Sequence, residues 1–98
     1  MDPQLADITC RRGTLNDGSG TCNGSSQQAF AAVPSRRFLL IQNPATTALY
    51  FDVDTAATTT TSILIAAGDA YVFENGFVPN GVINVIGTSG SKWVAKQG

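Results

Sequence analysis

Between Arg36 and Val53 the apolar and polar positions fall into three pieces. A solid apolar run, Phe38-Leu39-Leu40-Ile41, is followed by Asn43-Pro44 and then by an alternating run, Ala48-Leu49-Tyr50-Phe51-Asp52-Val53. The first run reads as a central strand covered on both faces, over residues 37–43. The second reads as a strand with Leu49, Phe51 and Val53 on one face and Ala48, Tyr50 and Asp52 on the other. Pro44 disfavours the helical region at Asn43 and starts the turn between them.

The strand period continues to both sides. Residues 29–33 form a short apolar strand ended by Pro34, and residues 62–66 place Ile63 and Ile65 on one face. After a tight turn at Gly68-Asp69, residues 70–74 return with Tyr71 and Phe73 on one face. Asn75-Gly76 and Pro79-Asn80-Gly81 are turn signals. Residues 82–86 and 92–96 flank Gly87-Thr88-Ser89-Gly90-Ser91 as a terminal hairpin. Residues 54–62, rich in threonine, are expected as a polar loop with a mobile tip. No segment keeps a helical period over three turns. The pattern predicts an all-β fold, a small antiparallel β-sandwich or barrel of about six or seven strands.

Residues 1–28 break this pattern. They hold Asp17-Gly18-Ser19-Gly20 and Asn23-Gly24-Ser25-Ser26-Gln27-Gln28, and their large apolar side chains are Met1, Leu5, Ile8 and Leu15. Such a segment buries too little surface to offset its own ordering entropy. It is expected as an extended N-terminal arm that orders against something else, with residues 29–98 as the β-sandwich domain.

Composition sharpens the picture in two ways. The chain has 98 residues with 13% charged side chains, about half the globular average of roughly 25%. A folding unit of about 70 residues rarely supplies more than a few kcal/mol of net stability. Low charge and a small core together predict help from a disulfide, self-association or a host surface. Net charge is −1, which lacks the basic surplus that nucleic-acid binding needs. No apolar run approaches the roughly 20 residues that cross a bilayer. The first residues have neither the basic nor the apolar region of a signal peptide, so synthesis in a cytoplasm is the expectation.

The chain contains no histidine. That removes the commonest general base and metal ligand and rules out a Ser-His-Asp triad. Cys10 and Cys22 are the two thiols, too few without histidine for a four-ligand zinc site within one chain. They enclose a polar loop, and a bridge there would contribute about 3 kcal/mol in the chain-entropy model. Two free thiols in a reducing compartment is the other reading. Asp52 and Asp54 sit two apart as a carboxylate pair for hydrolysis or as solvated strand-end aspartates. Trp93, Tyr50 and Tyr71 are either a sugar-binding platform or anchors in the core or an interface. Arg11-Arg12 and Arg36-Arg37 are either solvated or candidates for bidentate pairing with acidic patches on a partner protein. A non-enzymatic protein without cofactor or metal is the expectation.

The order Arg-Arg-Phe-Leu-Leu-Ile-Gln-Asn-Pro (36–44), Leu-Tyr-Phe (49–51), Ile-Ala-Ala-Gly-Asp-Ala-Tyr-Val-Phe (65–73) and Val-Pro-Asn-Gly-Val-Ile-Asn-Val-Ile-Gly (78–87) resembles small β proteins encoded among the virion structural genes of tailed bacteriophages. Members of that group look like head decoration or cement proteins. The resemblance covers the domain and excludes residues 1–28. It implies a virion component made in the host cytoplasm, binding the major capsid protein or other virion proteins and self-associating on the particle. A connector, tail or fibre-anchoring component is the alternative, and a carbohydrate-binding module on the virion surface is a second. Neither nucleic acid nor a membrane is an expected partner.

Overall fold

A computed structural model describes residues 15–74 and 76–98. Nine strands run through them: β1 (Asn16–Asp17), β2 (Gly20–Thr21), β3 (Gln27–Phe30), β4 (Leu39–Gln42), β5 (Leu49–Val53), β6 (Ile63–Ile65), β7 (Ala70–Phe73), β8 (Ile83–Gly87) and β9 (Lys92–Gln97). All pairings are antiparallel, in two sheets that face each other. One sheet runs β1-β9-β4-β7, with β2 also on β9, and the other runs β3-β8-β5-β6. The sheets do not close on each other, so the sandwich alternative holds and the barrel does not.

With β1 and β2 sharing one edge position, this is the strand order of a jelly roll. Residues 22–26 carry the chain from one sheet to the other at one flank, and residues 66–69 do so at the opposite flank. The β2 and β3 edges therefore meet on one side, and the β6 and β7 edges on the other.

The core lies between the sheets. Leu39 and Ile41 of β4 face Leu49 and Phe51 of β5, with Ile83, Val85, Trp93 and Ala95 completing the layer. The alternation of β5 is as predicted: Leu49 and Phe51 are buried, and Tyr50 and Asp52 are half-exposed. Strand β4 is central, between β9 and β7, but it is buried on one face only. Leu40 is half-buried on the outer face, and Gln42 is exposed. The solid apolar run thus hides an alternating strand whose outer face carries Leu40 and Gln42.

Four elements differ from expectation. Residues 82–96 form no terminal hairpin: β8 pairs with β3 and β5 and β9 with β4, β1 and β2, so residues 88–91 cross between the sheets. The strand expected at 29–33 starts two residues earlier, at Gln27, and ends at Phe30 with a register break after Gln28. That break is a local irregularity of the bulge type, after which pairing resumes at Phe30 opposite Ile83. Strands β1 and β2 lie inside the stretch read as an arm, and its described part lies along β9 and β8. The Thr-rich loop is cross-braced: Ser62 Oγ donates to Asp52, the backbone N–H of Thr58 donates to Ser62, and that of Ala57 donates to Ser26.

Candidate functional site

Each sheet ends in an edge strand on both flanks, and β6 and β7 form the flank without the β1–β2 segment. Both are edge strands, and among the described residues nothing pairs with their free sides. Such an edge leaves alternate backbone N–H and C=O groups without partners, a template for another chain. Register tells which way each side chain points. Tyr71 pairs with Ile41 and Phe73 with Leu39, both buried, so the two aromatic rings point between the sheets. Val72 pairs with Leu40 and lies on the outer face.

The inward aromatics form a chain that leads out of the core. Phe51 meets Tyr71 with ring centroids 5.3 Å apart and Phe73 at 6.2 Å, and Phe73 meets Phe77 at 6.4 Å. These edge-to-face spacings are stabilising. The chain ends in solvent, because Phe77 is 79% exposed. On the two edge strands Ile63, Leu64, Tyr71 and Val72 are also exposed, Leu64 and Val72 on the outer faces of the two different sheets. Single exposed apolar residues are ordinary, whereas several on two neighbouring edge strands offer surface for an interaction.

Apart from exposed Arg37, which shares a cleft with Gly76 and Val78, the charges near this flank are acidic. Residues 38–91 contain no lysine or arginine, and their charged side chains are Asp52, Asp54, Asp69 and Glu74. Asp69 and Glu74 are exposed and bracket β7. Lys92 and Lys96 are on β9, two strands away from β7.

The residues singled out from sequence scatter over the fold. Cys10, Arg11 and Arg12 lie outside the described residues, as does Asn75 of the Asn75-Gly76 turn. Cys22 is buried against Gly87 and Leu49, and burial pushes its thiol up from the usual range. The Arg36-Arg37 pair splits. Arg36 is 6% exposed and faces inward, where Nε donates to Gln97 Oε1 at 2.7 Å. Its Nη1 donates to the carbonyls of Pro79 and Gly81, and Nη2 to that of Ala31. Desolvation lowers its pKa, and its guanidinium carbon sits 5.8 Å from the Phe30 ring centre. Arg36 ties three segments together and is not displayed to a partner. Arg37 is exposed and lines a shallow cleft with Gly76 and Val78.

Asp52 and Asp54 do not face each other across a cleft. Asp52 accepts from Ser62, and Asp54 accepts the backbone N–H of Val82 at 2.9 Å from a left-handed backbone, φ 62°. Gly81 lies so close under the Asp54 carboxylate that a Cβ there would overlap it. The three aromatics also stay apart. Trp93 is 4% exposed beneath β2, where Nε1 donates to Gly18 O at 2.7 Å. Tyr50 is on the outer face of the opposite sheet, paired with Leu64 and Ile86, and Tyr71 is on the rim. No sugar-stacking platform is assembled from them.

Sequence reasoning missed Phe77, Leu64 and Val72 as surface residues. Nothing in an apolar residue's identity says that it is left outside. It also missed Asn43, whose Nδ2 donates to Thr47 O at 2.7 Å and Ile65 O at 3.0 Å while Oδ1 accepts from Ala45 N. Comparison with family models, curated proteins and solved structures finds no match for the chain. The reading of function therefore rests on the site.

Proposed function

We infer that the chain is a non-enzymatic structural protein of a bacteriophage particle, a decoration or cement protein that binds the major capsid lattice through the β6–β7 flank. The observation that carries this reading is the unpartnered rim: two free strand edges lined by Ile63, Leu64, Tyr71, Val72 and Phe77. The jelly-roll order is compatible with it, since viral capsid domains use that architecture. Lectins and cupins use it too, so the fold alone does not assign the role.

The physical case is one of burial. Each large apolar side chain moved from water into a packed contact contributes about 1.5–3 kcal/mol. A lattice presents the same contact many times, so modest affinity at each site adds up when one protein bridges two neighbours.

The test is quantitative protein staining of purified particles, together with heat and salt challenge of particles lacking the protein. The expected result is on the order of hundreds of copies per particle and weaker heads without it. A copy number matching a single symmetric ring transfers the role to the connector or tail. Absence from particles removes the reading altogether.

A further inference from the structure

Asparagine followed by glycine is the pair at which a polypeptide most readily attacks its own side chain. Glycine has no Cβ to shield its nitrogen, and it lets the backbone turn towards the side-chain amide. Three such pairs occur here, Asn23-Gly24, Asn75-Gly76 and Asn80-Gly81. Asn75 lies outside the described residues. Asn23 and Asn80 are both exposed, yet the fold holds the peptide units that follow them in opposite ways.

At Asn80-Gly81 the main chain is clamped. The carbonyls of Pro79 and Gly81 accept from Arg36 Nη1 at 2.6 and 3.0 Å, and that of Asn80 accepts the Val33 N–H at 2.8 Å. Gly81 is buried, with the Asp54 carboxylate pressed onto the place a Cβ would take and the Val82 N–H bonded to that carboxylate. Closing a five-membered ring between the Asn80 side chain and the Gly81 nitrogen turns the peptide unit between them. That motion breaks the contacts of the Asn80 and Gly81 carbonyls together.

At Asn23-Gly24 the same peptide unit is free. Neither the Asn23 carbonyl nor the Gly24 N–H has a hydrogen-bond partner among the described residues. Gly24 is exposed with φ 86°, and a Cβ there would meet nothing nearer than Ser89 at 3.9 Å. The side chain is already turned forward, because Asn23 Oδ1 accepts the Ser25 N–H at 2.9 Å. That donor faces the oxygen on which charge develops when the Gly24 nitrogen attacks Cγ. Cys22 is fixed through both its N–H and its carbonyl, to Ser91 and Gly90, so the loop is anchored just before the reacting residues.

We propose that Asn23 is a self-modification site, where the folded chain deamidates through a succinimide, while the clamp at residues 79–81 spares Asn80. The Gly24 nitrogen bonds to Asn23 Cγ, the bond from Cγ to the side-chain nitrogen breaks, and the Gly24 proton leaves with that nitrogen as ammonia. Water then opens the ring at either carbonyl. One product is aspartate, whose oxygen keeps the Ser25 N–H. The other is isoaspartate, which lengthens the main chain by one carbon within residues 22–26, the crossing between the sheets. Either adds a negative charge to a chain of net charge −1. The inference stands apart from the capsid reading.

The experiment is timed incubation of the purified full chain in native buffer and in concentrated urea, followed by chymotryptic peptide mapping. Fragmentation in the mass spectrometer reads the exchange of amide for acid at each asparagine. In native buffer Asn23 is expected to react at least about tenfold faster than Asn80, since only Asn80 breaks main-chain hydrogen bonds on the way to the ring. In urea the two rates are expected to converge, and residue 23 is expected as a mixture of aspartate and isoaspartate. Equal native rates, or faster reaction at Asn80, overturn the proposal. So does an Asn23 rate that falls about tenfold on folding, which would show that the loop shields the residue instead of presenting it. Aspartate alone at residue 23 overturns the ring route.

Discussion

Arg36 and Asn43 hold the loops of this molecule, and both do so with side-chain donors aimed at backbone carbonyls. Four donor contacts from Arg36 reach Ala31, Pro79, Gly81 and Gln97. A lysine ammonium is a point donor and cannot replace a planar fork that reaches several directions at once. Arg36→Lys therefore leaves buried carbonyls unpaired and is expected to lower unfolding stability by about 2–4 kcal/mol. In a domain of this size that is a large share of the total. Arg37→Ala, one position away and exposed, is expected to stay within about 0.5 kcal/mol. Urea denaturation of both variants checks the contrast, and similar midpoints would mean that the buried network carries no stability. Asn43→Ala strips the partners from Thr47 O and Ile65 O and is expected to lower stability by about 2 kcal/mol in the same measurement.

At the scale of elements, the least conventional part is the strap formed by β1, β2 and Gly18-Ser19 between them. Asp17 is exposed, yet its carboxyl is lowered from 3.8 to about 2, first by the Ser19 hydroxyl, then by the Ser19 N–H and by Lys96 at 3.2 Å. A depressed carboxyl stabilises the strap fully above its unfolded value, and that contribution fades as pH falls from about 3.8 towards about 2. Faster hydrogen exchange at Gly18 and Ala95 is expected over that window, because the Gly18 N–H bonds to Ala95 O and the Ala95 N–H to Ser19 Oγ. Asp17→Asn is expected to flatten the response, and an unchanged slope would show that Asp17 does not hold the strap. The strap also shows where sequence reading ends. Strands β4 to β9 were legible because Leu49, Phe51, Ile83 and Val85 alternate with polar or half-exposed neighbours. Asn16–Asp17 and Gly20–Thr21 carry no alternation, and what seats them is Trp93, far along the chain, whose ring lies so close to Gly20 that a side chain there would meet it at 2.7 Å. Arg36 is a similar case: its burial depends on carbonyls from the 79–81 loop, which no local pattern announces.

For the whole molecule the deciding contrast is between its two flanks. One carries the strap, the Lys96–Asp17 ion pair and the buried Trp93. The other ends in β6 and β7, with Ile63, Leu64, Tyr71 and Val72 exposed, and residues 38–91 supply carboxylates but no lysine or arginine. The apolar character of Leu64, Val72 and Phe77 was legible in the sequence, but their exposure follows from edge position, which only the strand order defines. Phe77 gives the most direct test of what the open flank is for. At 79% exposed it contributes little to the fold, so Phe77→Ser is expected to change unfolding stability by no more than about 0.5 kcal/mol. If the flank is the lattice contact, the same change removes about 2 kcal/mol of burial at each attachment, roughly a 30-fold loss of site affinity. Leu15 serves as the control: it is also exposed but precedes β1 on the strapped flank, so Leu15→Ser is expected to leave particle binding unchanged. Occupancy of stripped particles by the two variants, measured over a range of added protein, separates a specific flank from general surface stickiness. Equal losses for both would mean that exposed apolar area alone, and not the β6–β7 side, drives attachment.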